Sequence, residues 1–332
     1  MAATGQTRLA IPETPISERV SQVLSSLGTV LVALALFTIF SLSAENFLSL
    51  QNLQNILRQI AITAILGIGM TIVILIGGID LSVGSVVLFS AAAMNSLIFN
   101  EVLPTVPAII LGVAAAGLIG LLNGLLIVRV GISPVIVTLG SMIAVRGLGA
   151  MILWINNSWL WANDPVFKYI KTTTWSYIPV PAVLMIVLYI VAAIGMKHTI
   201  FGRHIYGIGG NERASDLCGI ASARVKIWAY ILCAMCAGVG GILMGARLGA
   251  ISPGVGQGLE FEAITAVVLG GTALTGGVGR VERTLLGAII VGMILNYMTI
   301  MGISAHYQRA VTGFIILAAA ILDQLSRGRA SR

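Results

Sequence analysis

The chain holds 332 residues, 58% of them hydrophobic and only 9% charged, against roughly a quarter charged in an ordinary soluble domain. So few polar side chains cannot coat a water-soluble globule of this size, which excludes a disordered chain, a coiled coil, a collagen and almost any soluble enzyme. Lys and Arg number 19 against 12 Asp and Glu, a net charge of +7; these cations punctuate apolar runs, so they point to membrane topology and not to nucleic acid.

Residues 1–23 carry Arg8, Glu13, Glu18 and Arg19 with no apolar core of a signal peptide, and are expected to form a cytoplasmic tail. Apolar stretches of bilayer-spanning character then follow at about Leu24–Ser43, Ile60–Ile76, Ser82–Phe99, Pro107–Val128, Pro134–Trp154, Pro181–Met196, Ile227–Met244, Phe261–Thr275, Leu285–Ile303 and Tyr307–Leu322. The expected fold is therefore all-α, a polytopic transmembrane bundle of about ten spans, one permeating domain over residues 24–323, with both termini cytoplasmic and a basic tail over 324–332. With that orientation 13 of the 19 cations face inward, five face outward and Arg146 falls within a span, the bias that topology rules require. The second, third and eighth stretches are also compatible with re-entrant segments.

Between the second and third stretches runs Gly77-Gly78-Ile79-Asp80-Leu81-Ser82-Val83-Gly84-Ser85. A carboxylate at membrane depth costs about 2.5–3.5 kcal/mol on insertion scales, and irregular backbone is tolerated there only inside protein or along a cavity. Asp80, Ser82 and Ser85 are candidates for a solute pathway or gate; the alternative is a tight turn in which Asp80 caps the next helix. Asn95, Asn123 and Asn296 are polar groups within spans, able to line a path for a hydroxylated solute or to bond a neighbouring helix. A second broken segment, Gly270 to Arg280, repeats the glycine pattern in the other half, the arrangement that marks transport sites in repeat-built carriers. Gly120-x-x-x-Gly124 and Gly241-x-x-x-Gly245-x-x-x-Gly249 are close-packing signals.

The outward loop 155–180 holds Trp159, Trp161, Tyr169, Trp175 and Tyr177, read as an interfacial belt or as a docking surface. The inward loop 197–225 is polar. Within it Asn211 can cap a helix of about two turns that carries Glu212 at its start, and Gly219 can end it. It reads as a solvated loop helix or, because a mere linker needs no defined cap at both ends, as a docking knob for a cytoplasmic partner. Phosphate loops, nucleophile elbows and metal-ligand spacings among His198, His204, His306 and the three cysteines are all missing. No catalytic residue, metal or cofactor is expected in this chain, and Cys233 and Cys236 read as membrane-embedded free thiols.

From about Phe47 to Asp323 the chain resembles the permease subunits of bacterial ABC importers for ribose and related sugars. The likeness rests on Asn52-Leu53-x-Asn55-Ile56-Leu57, on Gly69-Met70-Thr71 leading into the Asp80 segment, on Gly202-Arg203 followed by Gly209-Gly210-Asn211-Glu212-Arg213-Ala214, and on Ala266-Val267-Val268-Leu269-Gly270-Gly271. It implies a multi-pass protein of the bacterial inner membrane that moves a small neutral sugar, a pentose or similar monosaccharide, into the cytoplasm. It further implies a second permease copy or paralogue, a periplasmic sugar-binding protein, lipid as solvent, and cytoplasmic ATPase subunits that bind the ATP-Mg. Gly202, Arg203, Asn211, Glu212, Arg213, Ala214, Ser215 and Gly219 would form the ATPase coupling element, with Arg213 standing where other importer permeases carry Glu. The alternatives are an ABC permease for a nucleoside, a polyol or a signalling sugar, or an ion-coupled secondary carrier using Asp80.

Overall fold

The computed structural model describes residues 16–157 and 159–330. The part of the expected N-terminal tail before Ile16, and the last two residues of the basic tail, lie outside that range. Each of the ten apolar stretches contains a helix: α1 (Ile16–Ser43), α2 (Leu50–Leu75), α3 (Val83–Phe99), α4 (Thr105–Leu125, prolonged by a π-helical turn Leu126–Val130), α5 (Pro134–Ile155), α7 (Val180–His198), α10 (Ser222–Leu248), α11 (Leu259–Leu269), α12 (Val281–Ile300) and α13 (Ala305–Ala330). Three further helices, α6 (Pro165–Thr172), α8 (Ile200–Gly210) and α9 (Glu212–Leu217), sit in the two long polar loops. Strand structure among the described residues is confined to short ribbons: β1 (Leu160–Trp161) pairs antiparallel with β4 (Ala250–Ile251), and β2 (Thr174–Trp175) with β3 (Ile178–Pro179).

Among the described residues six helices are long and apolar enough to cross a membrane by themselves: α2, α4 with its π turn, α5, α7, α10 and α12. α3, at 17 residues, is about 25 Å long. α11, expected to run to Thr275, stops at Leu269 after 11 residues and is only about 16 Å long, roughly half the hydrocarbon thickness. The cause is local. Gly271 takes φ +81°, and the Gly271 and Thr272 amides turn back to the Val268 and Val267 carbonyls at 2.8 and 3.2 Å, which closes the helix with a Schellman motif.

α2 forms the centre. From Ile60 to Leu75 every residue is buried, as expected of a helix apolar all round. α10 lies against α2, α3 and α4. The Gly120/Gly124 motif lets α4 ride on α10: a β-carbon at Gly120 would come within 2.9 Å of the Ile231 Cα, and one at Gly124 within 3.0 Å of the Ile227 Cα. In lipid such close backbone approach replaces the hydrophobic drive that joins helices in water. α5 and α7 sit at the periphery and expose most of their apolar surface.

Candidate functional site

The Asp80 segment begins where α2 stops. Gly77 takes φ +78°, and the Gly77 and Gly78 amides donate to the Ile74 and Val73 carbonyls, both at 2.9 Å. Asp80 follows, wholly buried. Its Oδ1 accepts from the Ser82 amide at 2.9 Å and from the Ser82 hydroxyl at 2.6 Å. Asn123 Nδ2, from α4, donates to the Ser82 Oγ at 3.1 Å. Ser82 occupies the N-cap position of α3 without bonding the helix amides; the carboxyl therefore fastens a turn and does not cap the first turn of α3. Asp80 Oδ2 and the buried Ser85 Oγ have no hydrogen-bond partner among the described residues. Cys233 and Tyr230 of α10 border the carboxyl. A wholly buried carboxyl with no cation beside it and only the Cys233 thiol as a further hydrogen-bonding neighbour is costly, so this turn is held in place by the packing around it.

Three of the expected pathway residues, Asp80, Ser82 and Asn123, thus form one network, with Ser85 one helical turn beyond. Two do not join it. Asn95 donates to the Ala91 carbonyl of its own helix at 2.8 Å. Asn296 makes a reciprocal amide pair with Asn52, at 3.1 and 3.0 Å, tying α12 to α2.

At the polar end, α8 occupies part of what the sequence shows as the polar loop 197–225, despite its glycines at 202, 207, 209 and 210. Thr199 caps it, accepting from the Gly202 amide at 3.2 Å, and Arg203 is exposed on it. Asn211 ends α8 and starts α9, its Oδ1 accepting from the Ala214 amide at 3.0 Å. On α9, Glu212, Arg213, Ala214 and Asp216 are exposed, Leu217 is 90% exposed, and Ser215 turns inward. Lys226 of α10 pairs with Glu212. Gly219, at φ +84°, closes the helix through its amide to the Asp216 carbonyl. Cys218 stands exposed beside it.

The α8 glycines serve contact. The Gly277 amide donates to the Leu75 carbonyl, the last of α2, at 2.9 Å. A β-carbon on Gly209 would strike that same carbonyl and the Gly277 backbone. Tyr206 of α8 donates its hydroxyl to the Gly279 carbonyl at 3.0 Å; burial and then Glu282 hold that phenol above its usual pKa, so it remains a neutral donor. The two glycine-broken segments, in different halves of the chain, therefore meet each other and α8 at one junction. Repeated Gly-Gly pairs at 77–78, 209–210, 270–271 and 276–277 were the available signal.

A cavity of about 910 Å³ lies between α11 and α13. Its wall includes Gln257, Glu260, Phe261, Glu262, Arg309 and Phe314. Glu260 is 95% buried, with Oε1 accepting from the Gly258 amide at 3.2 Å and Oε2 unpartnered among the described residues. Glu262 accepts from the Thr63 hydroxyl at 3.1 Å. In the sequence these carboxylates stand only at the start of an apolar run. The described residues hold no group of three or more His, Cys, Asp and Glu fit for a metal ion.

Residues 52–320 match the family described as branched-chain amino acid transport system / permease component. Among curated relatives, the ribose import permease protein RbsC of Bacillus subtilis (strain 168) is 39% identical over 302 residues, 91% of this chain and 94% of that protein. Its namesake in Escherichia coli (strain K12) is 37% identical, covering 89% and 92%. The D-allose transport system permease protein AlsC of Escherichia coli (strain K12) is 34% identical, covering 90% and 91%. No solved structure matches the chain. With a glycine-broken helical core, membrane-spanning helices and this match over most of its length, the chain belongs to the branched-chain amino acid transport system / permease component family and is a multi-pass membrane permease.

Proposed function

We propose that the chain is the membrane-spanning subunit of an ATP-driven importer that carries a neutral monosaccharide into the cytoplasm, with ATP bound and hydrolysed by separate subunits. The observation that carries this reading is α9: a helix capped at both ends, projecting Leu217 into open space from the polar end of an apolar bundle. A knob of that build suits the groove of a partner. Relatives named for ribose and allose import support the solute class.

In this reading ten helices cross or enter the bilayer, α11 with residues 270–280 making one broken crossing, and both termini lie in the cytoplasm. Loop 197–225 meets the ATPase and loop 155–180 meets a periplasmic binding protein; two permease copies or paralogues enclose the path. The coupling element is Gly202, Arg203 and Asn211–Ser215 with Gly219. Asp80, Ser82, Ser85 and Asn123 form the gate region, while Asn95 and Asn296 chiefly brace helices. ATP binding shifts α9; α8 passes the shift through Gly209 and Tyr206 to Gly277, Gly279 and the end of α2, next to the Asp80 turn. The equilibrium between inward- and outward-open states then moves by the partner's difference in affinity for the two.

The test is Leu217→Arg in the full importer reconstituted in proteoliposomes. Its side chain makes no packing that stability needs, so insertion persists while co-purification of the ATPase and ATP-driven D-ribose uptake fall away. Wild-type permease alone concentrates nothing. Sugar accumulation by the permease without ATPase, driven by an ion gradient, would overturn the reading in favour of a secondary carrier.

A further inference from the structure

We propose that Arg146 stands on the wall of the solute path, at the middle of the bilayer, and offers its guanidinium to the hydroxyls of the passing sugar. The proposal rests on the monosaccharide reading above and names a residue that meets the solute.

Two separate costs meet on one surface. Arg146 lies near the middle of α5, about 18 Å along the helix from Pro134, and α5 is long and apolar enough to cross the bilayer. It is half-buried, between buried Val145 and exposed Gly147. A guanidinium facing hydrocarbon at that depth is expensive, so such residues turn to the bundle interior or to water. The second cost is backbone. Between β4 and α11 residues 252–258 run without helix or strand. Arg146 Nη1 donates to the Pro253 and Val255 carbonyls, each at 3.4 Å, which sets this strap at the depth of Arg146. Pro253, Gly254 and Gln257 are exposed. Irregular backbone inside the bilayer is tolerated only within protein or along a water-filled cavity. The half-buried charge and the exposed strap therefore demand the same thing, water on this side of α5. Gln257 carries the surface on into the cavity of about 910 Å³ between α11 and α13.

The guanidinium also has donors to give. Arginine carries five N–H groups in a fixed fork. Nη1 is engaged in the two long bonds to the strap, while Nε and Nη2 have no hydrogen-bond partner among the described residues. Glu260 faces the guanidinium from α11 without closing an ion pair with it. Its oxygens are turned to the Gly258 amide and to the Gly84 backbone. The carboxylate thus offsets the charge from behind and leaves the fork open. Each hydroxyl of a sugar can accept as well as donate, so a rigid pair of N–H groups beside water suits two neighbouring hydroxyls. The strap adds a link to the gate region: Gly256 packs so closely on the Gly84 carbonyl that neither glycine has room for a β-carbon, and Gly84 belongs to the Asp80 segment. A solute held at Arg146 is one strap away from the turn proposed to open for it.

The test uses the full importer, with ATPase and binding protein, in proteoliposomes, and measures D-ribose imported per ATP hydrolysed. Arg146→Lys keeps a positive charge opposite Glu260 and removes the fork. The ratio should fall about tenfold, the weight of one charge-assisted hydrogen bond, while the unfolding midpoint in detergent holds. A second arm leaves Arg146 intact. Gly254, beside the carbonyls that Arg146 touches, has open space around its α-carbon. In a Cys218→Ser background, the thiol placed by Gly254→Cys should react with a charged, water-borne methanethiosulfonate, and more slowly while D-ribose turns over. An unchanged ratio for Arg146→Lys overturns the solute contact. A thiol that fails to react, sealed by lipid or by a second permease copy, overturns the wall, as does a reaction rate that D-ribose leaves unchanged. In each of these cases uptake of D-ribose by the wild type leaves the monosaccharide reading standing. If the wild-type importer carries no monosaccharide, both fall together. Should Arg146→Lys not insert, the thiol arm decides alone.

Discussion

Gly209 and Gly210 are neighbours at the end of α8 with opposite surroundings, and exchanging each for alanine tests the junction directly. At Gly210 a β-carbon meets nothing within 4 Å, so Gly210→Ala should be neutral or gain up to ~1 kcal/mol from helix propensity. At Gly209 the same atom collides with the Leu75 carbonyl and lies 2.8 Å from the Gly277 Cα. Both obstacles are backbone, and neither can swing away. Overpacking costs about 1–3 kcal/mol, and losing the buried Gly277-to-Leu75 hydrogen bond costs about 1–3 more. Less the ~1 kcal/mol of helix propensity, Gly209→Ala should destabilise by about 1–5 kcal/mol, centred on ~3 kcal/mol. In a chain of this size that lowers the unfolding midpoint by about 5 °C. Thermal unfolding in detergent or nanodiscs, run beside ATP-driven uptake in proteoliposomes, reads both effects. The uptake loss should exceed what the remaining folded fraction explains, because the link from α8 to α2 is itself broken. Equal midpoints and equal uptake for the two alanine variants would refute the reasoning.

Asn211→Ala removes the side-chain cap of α9 and should cost about 1 kcal/mol locally; ATPase retained in a pull-down should fall while whole-protein unfolding hardly moves. The Glu212–Lys226 pair, with Glu212 half exposed, contributes at most about 1 kcal/mol, so high salt should weaken α9 only slightly by amide exchange. Asp80→Asn keeps an acceptor toward Ser82 and removes the charge; uptake should drop while membrane insertion, measured by expression and gel filtration, is retained. Gly120→Leu drives a side chain into the α10 backbone at Ile231, and properly folded protein should be lost, whereas Gly140→Leu, on an open face of α5, should be tolerated.

Much of the architecture was legible because hydropathy is written locally. Every apolar stretch contains a helix, and α9 starts at Asn211 and is closed at Gly219 as its cap chemistry indicates. What escaped depends on partners distant in the chain. The α8 glycines look like loop residues, yet Gly209 is glycine because Gly277 and Leu75 press on it. Asn296 reads as a polar group in a span and could serve solute or packing; its bond to Asn52, 244 residues away, is invisible to any window. Glu260 and Glu262 look like the edge of an apolar run, and only the fold shows them lining a cavity. The likeness between the two glycine-broken segments has a simpler basis too. The same left-handed glycine stop ends α2, α9, α11 and α12, so the pattern records how helices are stopped here as much as any duplication.

The ribbon between β1 and β4 carries a mechanical consequence. Leu160 and Trp161 are laced to Ile251 and Ala250, and the Ala162 amide adds a rung to Gly249 at 2.9 Å. The aromatic rim and the strand that leads down into α11 are thus stitched edge to edge. A displacement of Trp161 therefore bears through backbone hydrogen bonds on Ala250, and the loop with the aromatic side chains cannot shift independently of the segment that precedes α11.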